Sequence, residues 1–303
     1  MSSIKKFTAL FLTVLLLVSF IPQAAFAASG WAKEGSSWIY VTNGKRATGW
    51  KKISGKWYFF TNDGYMISNG SVSDNGKDYY FVGKDGAMKT KKGWYQDSGK
   101  MWHYALSGGK LVAEGWKKIG GKWYYFDVSY LLTNCPIGDY YVDGNGVMVT
   151  NSWTSGKSRA HVEVSDGVYE WRDFIIWSYY GSSGKKCTGW KKIGGSWYCF
   201  NPYGELFEQQ VISADGLFTP TGNTYYYSSA GLSAPDSEDA RAQKMYFVDE
   251  GGKMQTKAGL VRSYANYKVF FPNSKGEIYY VQEGGEIFTG GWKQLNEIGR
   301  AHV

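Results

Sequence analysis

Cysteine and histidine are nearly missing from this chain. Its 303 residues hold three of each: Cys135, Cys187 and Cys199, and His103, His161 and His302. An odd, sparse cysteine set excludes a disulfide framework, although Cys187 and Cys199 flank one stretch and a bond between them stays open. No Cys/His cluster has the spacing of a zinc site. There is no His-Glu-x-x-His stretch, no phosphate-cradling loop and no nucleophile spaced with a base. Carboxylates are frequent, but they sit in turns, and nothing pairs two of them in a cleft. Proline is limited to 6 residues. A long apolar run occurs once, from Phe7 to Phe20, and helical periodicity is absent beyond the first 30 positions. These absences leave no catalytic residue, no metal and no cofactor to assign, and they argue against a helical fold.

What the chain has is aromatic residues, 18% of the total, and 40 glycines. Much of both lies in one motif. Gly115-Trp116-Lys117-Lys118-Ile119-Gly120-Gly121-Lys122-Trp123-Tyr124-Tyr125-Phe126 recurs with few changes at 49–60 and again at 189–200. Two aromatic runs around a Gly-Gly or Ser-Gly step predict a β-hairpin with a tight primed turn. Side chains alternate along a strand. With the turn at Gly194-Gly195, Lys192 faces Trp197 and Trp190 faces Cys199, so both tryptophans share one face. Ile193, Tyr198 and Phe200 share the other. One hairpin is marginal in water, but copies repeating about every 20 residues can stack and bury a continuous core. The expected fold is all-β, a solenoid of stacked hairpins.

In order, Lys5 and Lys6, the apolar run, Pro22 and Ala25-Phe26-Ala27 read as a secretory signal peptide over 1–27. The run is shorter than the roughly 20 residues a membrane span needs. The formal charge of +8 loses two with Lys5 and Lys6, leaving +6, which suits an anionic cell wall. A repeat array over 28–296 follows. Its hairpins are expected at Trp31/Trp38, Trp50/Trp57, Trp94/Trp102 (with Gly99 in a longer, bulged turn), Trp116/Trp123 and Trp190/Trp197. Residues 70–81 align with 115–126 without a gap, which puts Ser71 and Asp78 where the tryptophans stand and makes this hairpin a spacer. Residues 216–227 and 259–271 read as further copies poor in Trp, with Leu217 and Thr224 at the Trp positions of the former. The repeat is irregular over 151–180, and 233–243 reads as a polar insertion. Asp- and Gly-rich turns precede Met66, Met88, Met148 and Met254, which are expected to fill the solenoid core. His103 occupies a Tyr position, so packing is its expected role. Ile298-Gly299-Arg300-Ala301-His302-Val303 is the translation of ATC GGA AGA GCA CAC GTC, the start of a widely used sequencing-library adapter. Residues 297–303 therefore read as a non-native tail interrupting the repeat opened by Gly291-Trp292-Lys293.

The Gly-Trp-Lys-Lys-Ile-Gly-Gly-Lys-Trp-Tyr-Tyr-Phe copies resemble the cell-wall-binding, or choline-binding, repeats of Gram-positive surface proteins. They are also similar to glucan-binding repeats of glucosyltransferases and to those of large clostridial toxins, which the Trp-poor copies resemble most. The resemblance implies ligands held between successive hairpins. Physics agrees: a quaternary ammonium cannot donate a hydrogen bond, but aromatic faces attract it, by roughly 0.5–2 kcal/mol per ring. Two tryptophans plus a Tyr or Phe from the neighbouring hairpin would make a cage. The implied ligand-binding residues are Trp31, Trp38, Trp50, Trp57, Phe59, Trp94, Trp102, Trp116, Trp123, Tyr125, Trp190 and Trp197. The implied protein is secreted, non-catalytic and held at the cell surface by wall-polymer choline or similar groups, with no nucleic acid partner and membrane contact only during export. Two alternatives stay open: a module binding glycan or a host surface, and the targeting region of a wall hydrolase whose catalytic domain lies outside this stretch.

Overall fold

The computed structural model describes residues 29–74, 76–165, 168–214, 244–263, 277–288, 292–294 and 300–302. The expected signal peptide and the 233–243 insertion lie outside them. Among the described residues every element is a strand, bridge or turn, and each strand pairs antiparallel with a sequence neighbour. The chain divides into two compact units. One holds the described residues up to Thr133 with Gly144–Val147, and the other holds Asn134–Asp143 and Met148 onward.

The consensus hairpins take the register expected from their turns. Trp116 lies opposite Tyr125 and Lys118 opposite Trp123, while Trp190 lies opposite Cys199 and Lys192 opposite Trp197. The turn residues Gly120 (φ 56°) and Gly121 (φ 84°) are both left-handed. That is the primed-turn geometry, whose twist matches the strands.

Hairpins stack in tandem within each unit. After several hairpins of each unit, the linker sends an amide back to the preceding hairpin, to the carbonyl of the second Trp or its equivalent. Met66 N–H donates to Trp38 O at 2.7 Å, Met88 to Trp57 at 2.8 Å and Leu111 to Tyr79 at 2.8 Å. In the other unit Leu206 donates to Trp177 at 2.8 Å, Met254 to Trp197 at 2.9 Å and Ile287 to Met245 at 2.7 Å. The residue opposite each hairpin's opening position forms the core. Val41, Phe60, Val82, Ala105 and Phe126 in one unit, and Val142, Tyr180, Phe200, Val248 and Val281 in the other, are at most 2% exposed. Burying one such Val or Phe stabilises by about 1.5–3 kcal/mol. The linker methionines pack between turns, half-buried, rather than at the centre. Gly86 (φ +74°) rests directly on Met66, and Gly184 on Met148, where a Cβ would overlap the thioether.

Several copies depart from the alignment. Gly70–Asp74 pairs with Asp78–Val82 so that Ser73 faces Tyr79 and Asp74 faces Asp78. The gapless match fails by one residue because the turn spans 75–77, one residue more than Gly120-Gly121; Asn75 lies outside the described residues. Tyr79, not Asp78, therefore takes the second Trp position, and Asp78 forms a 2.6 Å ion pair with Lys110. In the 93–105 hairpin the left-handed turn residue is Lys100 (φ 65°), not Gly99. A short hairpin, Cys135–Ile137 with Tyr140–Val142, was not foreseen. The stretch read as irregular is one long hairpin, Ser152–Ser165 with Val168–Tyr180. The copy expected at 216–227 lies outside the described residues; a hairpin is formed by Gln210–Ser213 with Met245–Val248. Likewise Gly259–Ser263 pairs with Glu277–Val281, not with residues up to 271. In both cases a long insertion separates the paired strands, which short-range alignment cannot bridge. Trp292–Gln294 pairs with Arg300–His302. All three cysteines are free thiols. Cys199 is fully buried against Ile212, Val248 and Trp190, filling the place of Tyr125.

Candidate functional site

The hairpins of Trp31, Trp50, Trp94, Trp153 and Trp190 turn their Trp face toward the Tyr-bearing face of the next. In the 93–105 hairpin, Trp94 faces Tyr104 and Gln96 faces Trp102, so both tryptophans share a face. The ring of Trp94 lies edge-on to Tyr124 of the following hairpin at 5.1 Å and stacks over Phe126 at 6.0 Å. Trp102 stands at the rim, 42% exposed. These three rings, Trp94, Trp102 and Tyr124, line an open cleft of about 350 Å³ with Leu131, Thr133, Gly144 and Asn145. Three aromatic walls and few charges make a receptacle for a compact organic cation or the apolar face of a sugar.

The Trp102 corner is braced from below. His103 is buried, its Nδ1 2.7 Å from the Ser129 carbonyl oxygen and its Nε2 3.1 Å from Asp97 Oδ2. Asp97 also accepts the Met101 N–H at 2.9 Å. Burial pushes the Asp97 carboxyl up, but hydrogen bonds from His103 and the Met101 and Gly99 amides outweigh it and hold the group below its usual range. His103 thus packs as its Tyr position predicts, and it also ties the turn to the next repeat.

The same constellation recurs. Trp31 lies 4.9 Å from Tyr58, Trp50 5.5 Å from Tyr80 and Trp190 5.8 Å from Tyr246. Their rim partners Trp38, Trp57 and Trp197 are 45%, 40% and 41% exposed. Trp123 is 41% exposed, and Trp116 lies edge-on to Tyr125 at 5.2 Å. Phe59 holds the matching place beside Trp50 at 5.2 Å. Phe59 and Tyr125 therefore pack against the first Trp of their own hairpin instead of facing it across a gap. The facing walls are Tyr58, Tyr80, Tyr124, Tyr198 and Tyr246, which sequence reasoning did not name. The signal was there: in the consensus copies a Tyr always follows the second Trp.

One site was missed outright. In the long hairpin Trp153 faces Tyr179 and Ser155 faces Trp177. Trp153 lies 5.0 Å from Tyr198 and 5.6 Å from Phe200, and Trp177 is 38% exposed. This pair has the geometry of the others, but its tryptophans are far apart in sequence. The 70–82 hairpin, by contrast, has its gap filled. Tyr95 stacks on Phe81 at 5.2 Å, and His103 lies 5.6 Å from the same ring.

Residues 47–94 match the choline-binding repeat, and residues 114–129 and 188–204 match the cell wall binding repeat. These stretches carry choline-binding and cell wall binding repeats. The repeat match over 47–94 takes in both the Trp50/Trp57 hairpin and the 70–82 hairpin that lacks both tryptophans. The chain is 25% identical to Glucosyltransferase-I of Streptococcus downei over 79% of its own length and 16% of the relative's. It is 25% identical to Glucosyltransferase-S of Streptococcus mutans over 50% of its length and 11% of the relative's. The chain thus spans about a sixth or less of these relatives. Among solved structures, the modular autolysin LytC of Streptococcus pneumoniae is similar at a TM-score of 0.46 and 21% identity, covering 90% of this chain and 51% of that one. Choline binding protein F of the same species is similar at a TM-score of 0.45 and 20% identity, covering 88% of each chain.

Proposed function

We propose that this chain is an exported, non-catalytic module that holds its protein on the cell envelope by many weak aromatic cages for choline or similar groups of a wall polymer. The observation that carries this reading is the repeated Trp–Trp–Tyr constellation, open to solvent at Trp94, Trp102 and Tyr124. Residues 1–27 direct export, 28–296 form the array, and 297–303 take no part in binding. The acting tryptophans are those of the 31/38, 50/57, 94/102, 116/123 and 190/197 pairs, joined by Trp153/Trp177. Attraction to an aromatic wall depends on the ring quadrupole more than on net charge. Retention on an immobilised tertiary amine should therefore survive high salt and be reversed by free choline. Elution by salt alone would sink the reading. Elution by a glucan oligosaccharide but not by choline would favour a glycan-binding module, the second reading. That reading is motivated by the similarity to two glucosyltransferases and by the fact that sugar rings also stack on tryptophan.

A further inference from the structure

The outer part of the 152–180 hairpin contributes nothing to the cages. Its strands stay paired nearly to the tip, with one bulge between Glu163 and Ser165. Among the described residues no third strand pairs with it. A two-stranded ribbon of this length is marginal in water and leaves both edges unpaired, so its surface calls for a use. Strand alternation sorts that surface into lanes. On the face of Trp153 and Trp177, the second strand carries Trp171, Asp173, Ile175 and Trp177. The first strand sets Ser155, Lys157 and Arg159 beside them. Trp171 is 60% exposed, Ile175 46% and Trp177 38%. Arg159 lies over the Trp171 ring at 5.7 Å and binds Asp173 at 3.1 Å, which holds that ring in place. From Trp171 to Trp177 the lane runs about 20 Å at about 3.4 Å per residue. Its inner end, Trp177, is also the rim of the Trp153/Trp177/Tyr198 cage, so the lane continues a cage wall outward.

We propose that this face binds a saccharide chain of the envelope polymer, with Trp171 and Trp177 stacking on sugar rings while Lys157, Arg159 and Asp173 take the hydroxyls. A sugar offers one apolar face and a rim of hydroxyls, which suits an aromatic lane beside a polar one. A second copy of the chain fits less well, because self-interfaces are depleted of charge at their centre and Arg159 and Asp173 sit mid-lane. The inference rests on the binding-module reading only for the cage at its base. In the test, the full chain is titrated by tryptophan fluorescence with soluble, choline-free glycan strands of peptidoglycan. In parallel it is retained on immobilised choline. Trp171→Ala, and separately Ile175→Ser, should weaken glycan binding by about tenfold, the effect of losing roughly 1.4 kcal/mol, and leave choline retention unchanged. Trp57→Ala should lower choline retention modestly and leave glycan binding unchanged. Absence of glycan binding by the parent, or no change in Trp171→Ala, overturns the proposal. So does a concentration-dependent dimer that Trp171→Ala abolishes, since the face would then be a self-interface. Failure on choline with the glycan arm intact would instead sink the cage reading alone.

Discussion

The two tryptophans of a repeat differ in what they hold. Trp94 is wedged between Tyr104, Tyr124 and Phe126 at 4.9–6.0 Å, while Trp102 stays 42% exposed. Removing the first opens a void between hairpins, whereas removing the second leaves packing nearly intact. Trp94→Ala should therefore lower unfolding stability by about 3 kcal/mol. Trp102→Ala should shift the urea midpoint little and lower choline retention modestly. Equal stability loss in both would mean that the rim ring is a core residue. Asp97 gives a pH signature at the same corner. Its carboxyl lies below the usual value because His103 and two turn amides outweigh burial. A depressed acid contributes stability above the unfolded-state value near 3.8 and loses it as pH falls through the folded value. Acid unfolding followed by tryptophan emission should show this loss below about pH 4, and Asp97→Asn should flatten that part of the curve. An unchanged acid limb would mean the contact is not maintained in solution.

At the scale of the hairpin, turn chemistry decides register. Gly-Gly and Ser-Gly steps supply two left-handed residues, so the 49–60, 115–127 and 189–200 hairpins could be read directly. Between Asp74 and Asp78 a three-residue turn shifts the second strand by one, which moves Tyr79 into the Trp position. The local sequence reads equally well either way. The linker amide of Leu111 meeting the Tyr79 carbonyl shows which register packs. Stacking of successive turns also sets glycine against several linker residues, among them Met66, Met148 and Leu206. Gly86 combines a left-handed φ of +74° with direct contact on Met66. Gly86→Ala should cost at least about 1–2 kcal/mol from backbone strain alone, read as a lower urea midpoint. Pairing it with Met66→Ala should recover part of that loss by removing the overlap. No recovery would show that strain, and not contact, sets the cost.

For the whole molecule, the number of sites matters more than the strength of any one. A cage of three rings offers only a few kcal/mol before association costs. Several cages meeting a polymer with repeated groups gain from effective concentration. Trp57→Ala, Trp123→Ala or Trp197→Ala singly should reduce retention on immobilised choline modestly. The triple variant should lose it far more than the single effects suggest. A folded triple variant that binds like the parent would reassign these rings to packing.

The sequence by itself determined the all-β repeat class and the shared face of each consensus Trp pair. Both follow from period-two alternation around short turns, which is local information. Tertiary structure alone decided which residues face each other across hairpins. Tyr58, Tyr124 and Tyr198 become cage walls only because one hairpin's Trp face stacks on the next one's Tyr face. It alone set Trp153 and Trp177 on one face of a long hairpin, and paired Val211 with Phe247 across a long insertion. Pairing between distant strands is set by burial of the common core, here Tyr180 and Val248, and no local spacing encodes it.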